Sequence, residues 1–298
     1  MEDISNERFG AIDIGTNAVR LVIKELRVND EGNHWYKLCY TRVPIRLGED
    51  VFTSGYISDK KMNDLALTFK AFKYLMKAME VKDYRACSTS AMREAKNATL
   101  VQSYIQEEAD IKIEILSGKE EAELIIENFK TQKLDPKGHY FFIDVGGGST
   151  EISLIYENER MMSRSFDLGT VRALSGQDST VQWNEMKEFA QTVKSKYKEL
   201  IGIGTGGNIN KLFKESGHKT NEMMTLRDII QVKEYFSTFT YDQRINMLKM
   251  RPDRADVIIP AAEIFIHVME NAGVEKMIVP KIGLSDGIIL DLFQRNNS

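Results

Sequence analysis

"FIDVGGGSTE", residues 142–151, sets an acid one residue ahead of three glycines and two hydroxyls. "AIDIGTNAVR", residues 11–20, has the same outline: apolar residue, Ile, Asp, β-branched residue, Gly, then small polar residues. The surroundings of the two turns agree as well. "FGAIDI" alternates into the first turn and "VRLVIKEL" alternates out of it, while "YFFIDV" runs as a buried strand into the second and "EISLIYEN" alternates out. Each half of the chain thus opens with a hairpin carrying an Asp–Gly turn. This is an internal duplication of supersecondary units and not a short solenoid repeat.

Outward from the first turn, a third strand is expected near Trp35 to Val43. "SDKKMNDLALTFKAFKYLMKAMEV" follows as an amphipathic helix with Met62, Leu65, Phe69, Phe72, Leu75, Met76 and Met79 at helical spacing and Ser58 as N-cap. Then come a strand in "YRACST", a helix in "NATLVQSYIQEEAD", a strand in "IKIEIL" and a helix in "SGKEEAELIIENFKTQ". "KLDPKGHY" reads as a turn and a domain boundary. Outward from the second turn, "RMMSRSFDLG" is a third strand and a helix covers about 184–198. "LIGIGTGGNINKLF" gives strand, Gly turn and helix. Helices dominate 225–271, "KMIVP" is a strand and "GLSDGIILDLF" a terminal helix. The expected domains are 1–130 and 131–298, with the terminal helix at about 284–298 packing back on the first.

Composition narrows the function classes. At 298 residues the chain has room for about two domains, and 42% hydrophobic with 28% charged residues is ordinary for a globular protein. "MEDISNER" has no apolar core, which argues against a signal peptide. The most apolar run, Val257 to Val268, is broken by Pro260 and Glu263, so no membrane span is expected. Two cysteines, Cys39 and Cys87, fit a reducing cytoplasm, and the four histidines lack ligand spacing. A net charge of −4 lacks the basic face of a nucleic-acid binder. A polyanion would then have to be held in a local pocket with a bridging cation.

Gly-rich turns expose successive backbone N–H groups, which form an anion-binding nest. "GGGST" is not a Walker loop, because it has no Lys and runs into a strand. Neither turn has the G-x-G-x-x-G spacing and following helix of a dinucleotide-binding turn. A phosphate cupped between two hairpins, one from each half, accounts for both. Carboxylates at the strand ends would repel that phosphate, which implies a divalent cation. Mg²⁺ suits carboxylates, waters and phosphate oxygens.

With the paired turns in hand, the chain resembles the exopolyphosphatase/guanosine pentaphosphate phosphohydrolase (Ppx/GppA) family of the actin–Hsp70–sugar-kinase superfamily. The resemblance runs through "AIDIGTNAVRLVI", "IRLGEDVFTSGYIS", "STSAMREAKN", "ILSGKEEAELI", "FIDVGGGSTEI", "LGTVR", "GIGTGG" and "RPDRADVIIPAAEI", in the family's order. It departs at Asn208, where Thr is usual, and at Ala18, where Ser is common. The implied fold is α/β: two actin-like (ribonuclease H-like) domains with an active-site cleft between them, Asp13 and Asp144 facing each other across it. The implied reaction is hydrolysis of a terminal phosphoanhydride.

Such a reaction needs an attacking water, alignment, and neutralisation of phosphoryl charge. Backbone N–H groups around Gly15, Thr16 and Asn17 and around Gly146, Gly147, Gly148, Ser149 and Thr150 are expected to cradle phosphates. Asp144, then Glu151 and Asp13, are the expected ligands of Mg²⁺ or another divalent cation, placed beside the phosphates. Arg93 and Arg20 would hold terminal phosphates as charge-assisted donors. Ser90, in the same motif as Arg93, joins the expected phosphate contacts, and Gly206 and Gly207 would close the cleft. "SGKEEA" is a capping box with Ser117 as N-cap and Glu120 at N3. That occupies Glu120 and leaves Glu121, ionised near the positive helix end, as the catalytic base. The resemblance points to the same second Glu.

Three activities fit these residues: release of phosphate from inorganic polyphosphate, guanosine pentaphosphate 5′-phosphohydrolysis on the same machinery, and a nucleotide-binding sensor or ATP-dependent kinase of the same fold. A Glu at position 121 favours hydrolysis over transfer. Family habit implies a homodimer, and the two cysteines with the polar N-terminus lead to the expectation of a cytoplasmic protein. Longer relatives carry extra C-terminal helical domains. The two-domain length therefore leads to the expectation that short polyphosphates are cleaved at least as well as long ones.

Overall fold

The computed structural model describes residues 7–29, 32–128, 134–157 and 159–297. The expected boundary at 130/131, the far end of the helix expected over 117–132, the first residue of the "KLDPKGHY" turn and most of the N-terminal "MEDISNER" lie outside the described residues. The chain divides into two compact units, Met1–Asn128 with Leu284–Ser298, and Phe129–Gly283. Among the described residues no helix is long and apolar enough to cross a membrane.

The first unit is built on β1 (Glu7–Ile14), which pairs antiparallel with β2 (Val19–Asn29), itself antiparallel to β3 (Gly32–Val43). Helices α1 (Leu47–Ser54) and α2 (Asp59–Ala78) lead to β4 (Asp83–Ser88), which lies parallel to β1. Then α3 (Ser90–Glu94) and α4 (Ala98–Ala109) lead to β5 (Ile113–Ile115), parallel to β4, and to α5 (Gly118–Glu127). The sheet order is β3-β2-β1-β4-β5. The alternation expected into the first turn gives way to continuous burial from Phe9 to Ile14. The cause is that β1 is central and covered on both faces, the signature of a strand sandwiched by helices.

The second unit repeats the plan. Strand β6 (Tyr140–Val145) pairs antiparallel with β7 (Thr150–Tyr156), and β7 with β8 (Glu159–Phe166). Helices α6 (Thr170–Leu174) and α7 (Thr180–Lys196) lead to β9 (Ile201–Thr205), parallel to β6. Helix α8 (Gly207–Glu215), β10 (Met224–Thr225), α9 (Leu226–Ser237), α10 (Tyr241–Asn246), α11 (Pro252–Ala255) and α12 (Ile258–Ala272) precede β11 (Lys276–Ile278), which is parallel to β9. The order β10-β11-β9-β6-β7-β8 is that of the first sheet, with β10 added at one edge. The most apolar run of the sequence forms α12, which packs between α7 and α9 in this unit's core. Pro260 sits in its first turn, where no helical N–H is needed. The last helix, α13 (Leu284–Asn296), belongs to the first unit. Its Phe293 meets Phe9 and Trp35 edge-on at centroid distances of 6.0 and 5.6 Å, and its Asp286 pairs with Lys24 of β2 at 2.5 Å.

Local details differ from the sequence reading in four places. On α2 the Ser58 hydroxyl accepts from Lys61 N as an N-cap should, and Met62, Leu65, Phe69, Phe72 and Met76 are buried. Leu75 is 37% exposed, because it falls one step off that stripe. Helix α7 starts at Thr180 and not near 184, since the Ser179 hydroxyl caps Gln182 N. The strand expected over 111–116 shrinks to β5. Helices α1, α3 and α6 span eight, five and five residues, too short for periodicity to reveal.

Candidate active site

Both hairpins turn in the same way. In the first, Asp13 lies opposite Arg20 and Ile14 opposite Val19, and Gly15 N–H donates to the Ala18 carbonyl at 3.1 Å. In the second, Asp144 lies opposite Glu151 and Val145 opposite Thr150, and Gly146 N–H donates to the Ser149 carbonyl at 2.9 Å. Each turn lies where its central strand ends, beside the end of a parallel neighbour. Ligands of open α/β sheets bind at such carboxyl ends.

The segment after each third strand returns to grip its turn. In the second unit Thr170 N donates to the Gly146 carbonyl, Val171 N and Arg172 N to the Gly147 carbonyl, and Arg172 Nε to the Gly148 carbonyl, at 2.8–3.0 Å. A trans peptide is planar, with its N–H opposite its C=O. Holding these carbonyls on one side directs the N–H groups of Gly147, Gly148 and Ser149 to the other. That is an anion nest. In the first unit Gly48 N and Arg46 N hold the Thr16 and Asn17 carbonyls at 3.0 and 3.2 Å, which directs the N–H groups of Asn17 and Ala18 in the same sense. A methyl group on Gly169 would lie 2.5 Å from the backbone N and C of Gly148, so only glycine lets the segment come this close.

The side chains around the two turns differ. Arg20 Nη1 donates to Asp13 Oδ2 at 2.6 Å, so the first hairpin's carboxylate is neutralised by its neighbour. At the same register the second hairpin sets Glu151 opposite Asp144, two carboxylates on one face. Glu151 is 2% exposed, and its Oε1 accepts from Ser149 Oγ at 2.6 Å and Ser165 Oγ at 2.9 Å. On the other side of Asp144 the register places Thr205, whose buried Oγ1 has no hydrogen-bond partner among the described residues. Gly206 follows with φ +96°, and a Cβ there would stand 3.1 Å from Asp144 Oδ1. Helix α8 begins at the next residue without a side-chain cap, so its positive end lies by Asp144. Gly207 lies against Arg254. Clustered oxygen donors fixed by serine hydroxyls suit a hard divalent cation.

In the first unit, Thr16 Oγ1 and Ser90 Oγ share a buried hydrogen bond of 2.8 Å that ties the turn to α3. One O–H of the two is spent in it. Arg93 Nη1 donates to the Leu116 carbonyl at 2.8 Å, where the chain enters α5. The Ser117 capping box is present: Glu120 Oε2 accepts from Ser117 N at 2.8 Å, and Glu120 N donates to Ser117 Oγ at 3.2 Å. These bonds from Ser117, its backbone N–H first, lower the pKa of Glu120. Glu120 is exposed, whereas Glu121 is 8% exposed on the inner face of the helix with Ala122, Ile125 and Ile126.

The sequence reading quoted "LGTVR" without giving it a role. The structure shows that Thr170, Val171 and Arg172 hold the second turn and that Gly169 lets them come close enough to do so. Arg46, Gly48, Ser165 and Thr205 were not singled out at all. The available signal was position: both gripping segments directly follow a third strand.

Two α/β units of one topology, each presenting a glycine turn at the end of its central strand, define a duplicated protein of mixed α/β fold. The model of the Ppx/GppA phosphatase family matches residues 28–296, and the chain belongs to that family. Exopolyphosphatase 1 of Mycobacterium leprae is 23% identical over 309 residues, covering 95% of this chain and 88% of that protein. The guanosine-5′-triphosphate,3′-diphosphate pyrophosphatase of Aeromonas hydrophila is 22% identical over 302 residues, covering 97% of this chain and 60% of that protein. The crystal structure of an exopolyphosphatase from Cytophaga hutchinsonii superposes with a TM-score of 0.82 at 22% identity, covering 97% of this chain and 98% of that one. The chain is by family a phosphoanhydride hydrolase.

Proposed function

We propose that the protein is an exopolyphosphatase that hydrolyses the terminal phosphoanhydride of inorganic polyphosphate. The observation that carries this reading is the second turn, a nest of directed N–H groups with Asp144 and Glu151 at its edge. In this reading the nest N–H groups of Gly147, Gly148 and Ser149 bind the oxygens of the phosphoryl group under attack. The N–H groups of the first turn, with Arg93, bind phosphoryl groups further along the chain. Glu121 orients the attacking water and takes its proton. Glu120 stays in the capping box. Asp144 and Glu151 hold a divalent cation, which when bound offsets phosphoryl charge. Asp13, paired with Arg20, orients that guanidinium and is not assigned to the cation.

The Aeromonas relative supports a second reading, guanosine pentaphosphate 5′-phosphohydrolysis, since that substrate also ends in a phosphoanhydride. Phosphate release from tripolyphosphate, long polyphosphate, guanosine pentaphosphate and ATP, with Mg²⁺ and with excess chelator, tests both. The first reading expects the highest kcat/KM on polyphosphate. A higher value on guanosine pentaphosphate selects the second, and full turnover in chelator removes the cation from either.

A further inference from the structure

We infer that Arg172 is a positioning residue for the second phosphate turn, acting through its Nε–H on the Gly148 carbonyl. This inference deepens the proposed function and rests on the same reading of the turn. Of the three peptide groups in the nest, two are oriented by main-chain donors, Thr170 N for the first and Val171 N and Arg172 N for the second. The third, Gly148–Ser149, is oriented by a side chain: Arg172 Nε donates to the Gly148 carbonyl at 2.8 Å in a buried setting. That bond holds the Ser149 N–H in line with those of Gly147 and Gly148. A Gly-Gly-Gly segment has wide φ/ψ freedom, so a peptide at its end needs an external restraint to keep one orientation.

The first unit meets the same need differently. Its corresponding peptide, Asn17–Ala18, is held by the backbone N–H of Arg46, a residue kept in the left-handed region at φ 56°. Main chain performs in one unit what a guanidinium performs in the other. The Ser149 N–H assists the phosphoryl group only while the Gly148 carbonyl is held away from it. An inverted peptide would present a carbonyl oxygen to an anion.

Two substitutions separate the Nε–H from the charge. Gln carries an amide NH₂ where Arg has Nε, so Arg172→Gln keeps a donor and loses the charge. Arg172→Met reaches as far as Gln, to the Nε position, and loses both. On tripolyphosphate with Mg²⁺, Arg172→Met is expected to lower kcat/KM by about 10- to 100-fold, below the loss of a whole oxyanion donor. Arg172→Gln is expected to recover most of that loss. Equal loss in Gln and Met, with melting temperatures near the parent's, overturns the inference in favour of a charge contact. So does a Met variant as active as the parent. If Met does not fold, the Gln variant still decides, because a folded but inactive Gln enzyme contradicts the inference. If the parent hydrolyses no substrate, the proposed function fails. Calorimetric binding of tripolyphosphate to the parent and both variants then reads the turn alone, and the same ranking in Kd supports the inference while equal Kd values overturn it.

Discussion

Glu151 stands directly opposite Asp144 across the second hairpin, at the register that Arg20 occupies opposite Asp13 in the first. One duplicated scaffold thus carries an ion pair at one site and two like charges at the other. Directly opposed like charges in a sheet destabilise it by about 0.2–1 kcal/mol. Such a pair is tolerable where a cation joins it.

Asp144→Asn is therefore expected to be at least as stable as the parent in chelator, by up to about 1 kcal/mol. Mg²⁺ should raise the melting temperature of the parent by mass action and that of the variant much less. Scanning calorimetry over a Mg²⁺ titration checks both. Equal Mg²⁺ shifts in the two proteins would remove Asp144 from the cation site.

Glu121→Gln keeps the shape of the side chain but cannot accept a proton. General-base catalysis contributes about 10²–10⁴-fold, so kcat should fall by that order while substrate Kd is unchanged or tighter. Glu120→Gln can still close the capping box and should keep most activity. Glu120→Ala should cost stability, on the order of 1 kcal/mol, by loss of the cap. An inactive Glu120→Gln beside an active Glu121→Gln would reverse the assignment.

The close approach at Gly169 leaves no room for a side chain. Gly169→Ala should destabilise by about 1–3 kcal/mol, the usual cost of overpacking, and should raise KM as the Gly147–Gly148 turn is pushed away. Gly206→Ala places a Cβ 3.1 Å from Asp144 Oδ1 in a left-handed backbone, and should weaken Mg²⁺ dependence more than stability. Melting curves and KM for the two variants check this. Parent-like values for Gly169→Ala would contradict the packing seen here.

His218 bridges Asp228, at 2.9 Å from Nε2, and Glu222, at 3.4 Å from Nδ1. The bond to Asp228 raises the imidazole pKa above its ordinary 6.5. Burial tends to raise the Asp228 pKa, but bonds from Thr225 and His218 leave it below 3.8. The histidine's contribution to stability is complete below pH 6.5 and fades as pH rises through its raised pKa. The aspartate's contribution is complete above 3.8 and fades as pH falls through its lowered pKa. The melting temperature lost in His218→Gln should be largest between these limits and shrink at alkaline pH. A loss independent of pH would mean that packing against Phe213, not charge, is what His218 supplies.

The sequence by itself determined the duplication, the strand-end turns, the capping box at Ser117 and the order of most long elements. These depend on local rules: strand alternation, helical spacing and the glycine content of turns act over a few residues and leave a readable pattern. Helices α1, α3 and α6 left none, since five to eight residues do not complete enough turns to show a period. Tertiary structure alone decided the rest. Asp13 and Asp144 read alike in sequence, yet one is neutralised by Arg20 and the other faces Glu151, because strand register selects the neighbour and register is set by pairing across the sheet. Likewise the N–H groups of the second turn acquire their common direction from residues 170–172, more than twenty positions away. A glycine turn can point its amides either way, and only the N–H donors that α6 brings to its carbonyls fix which way they face.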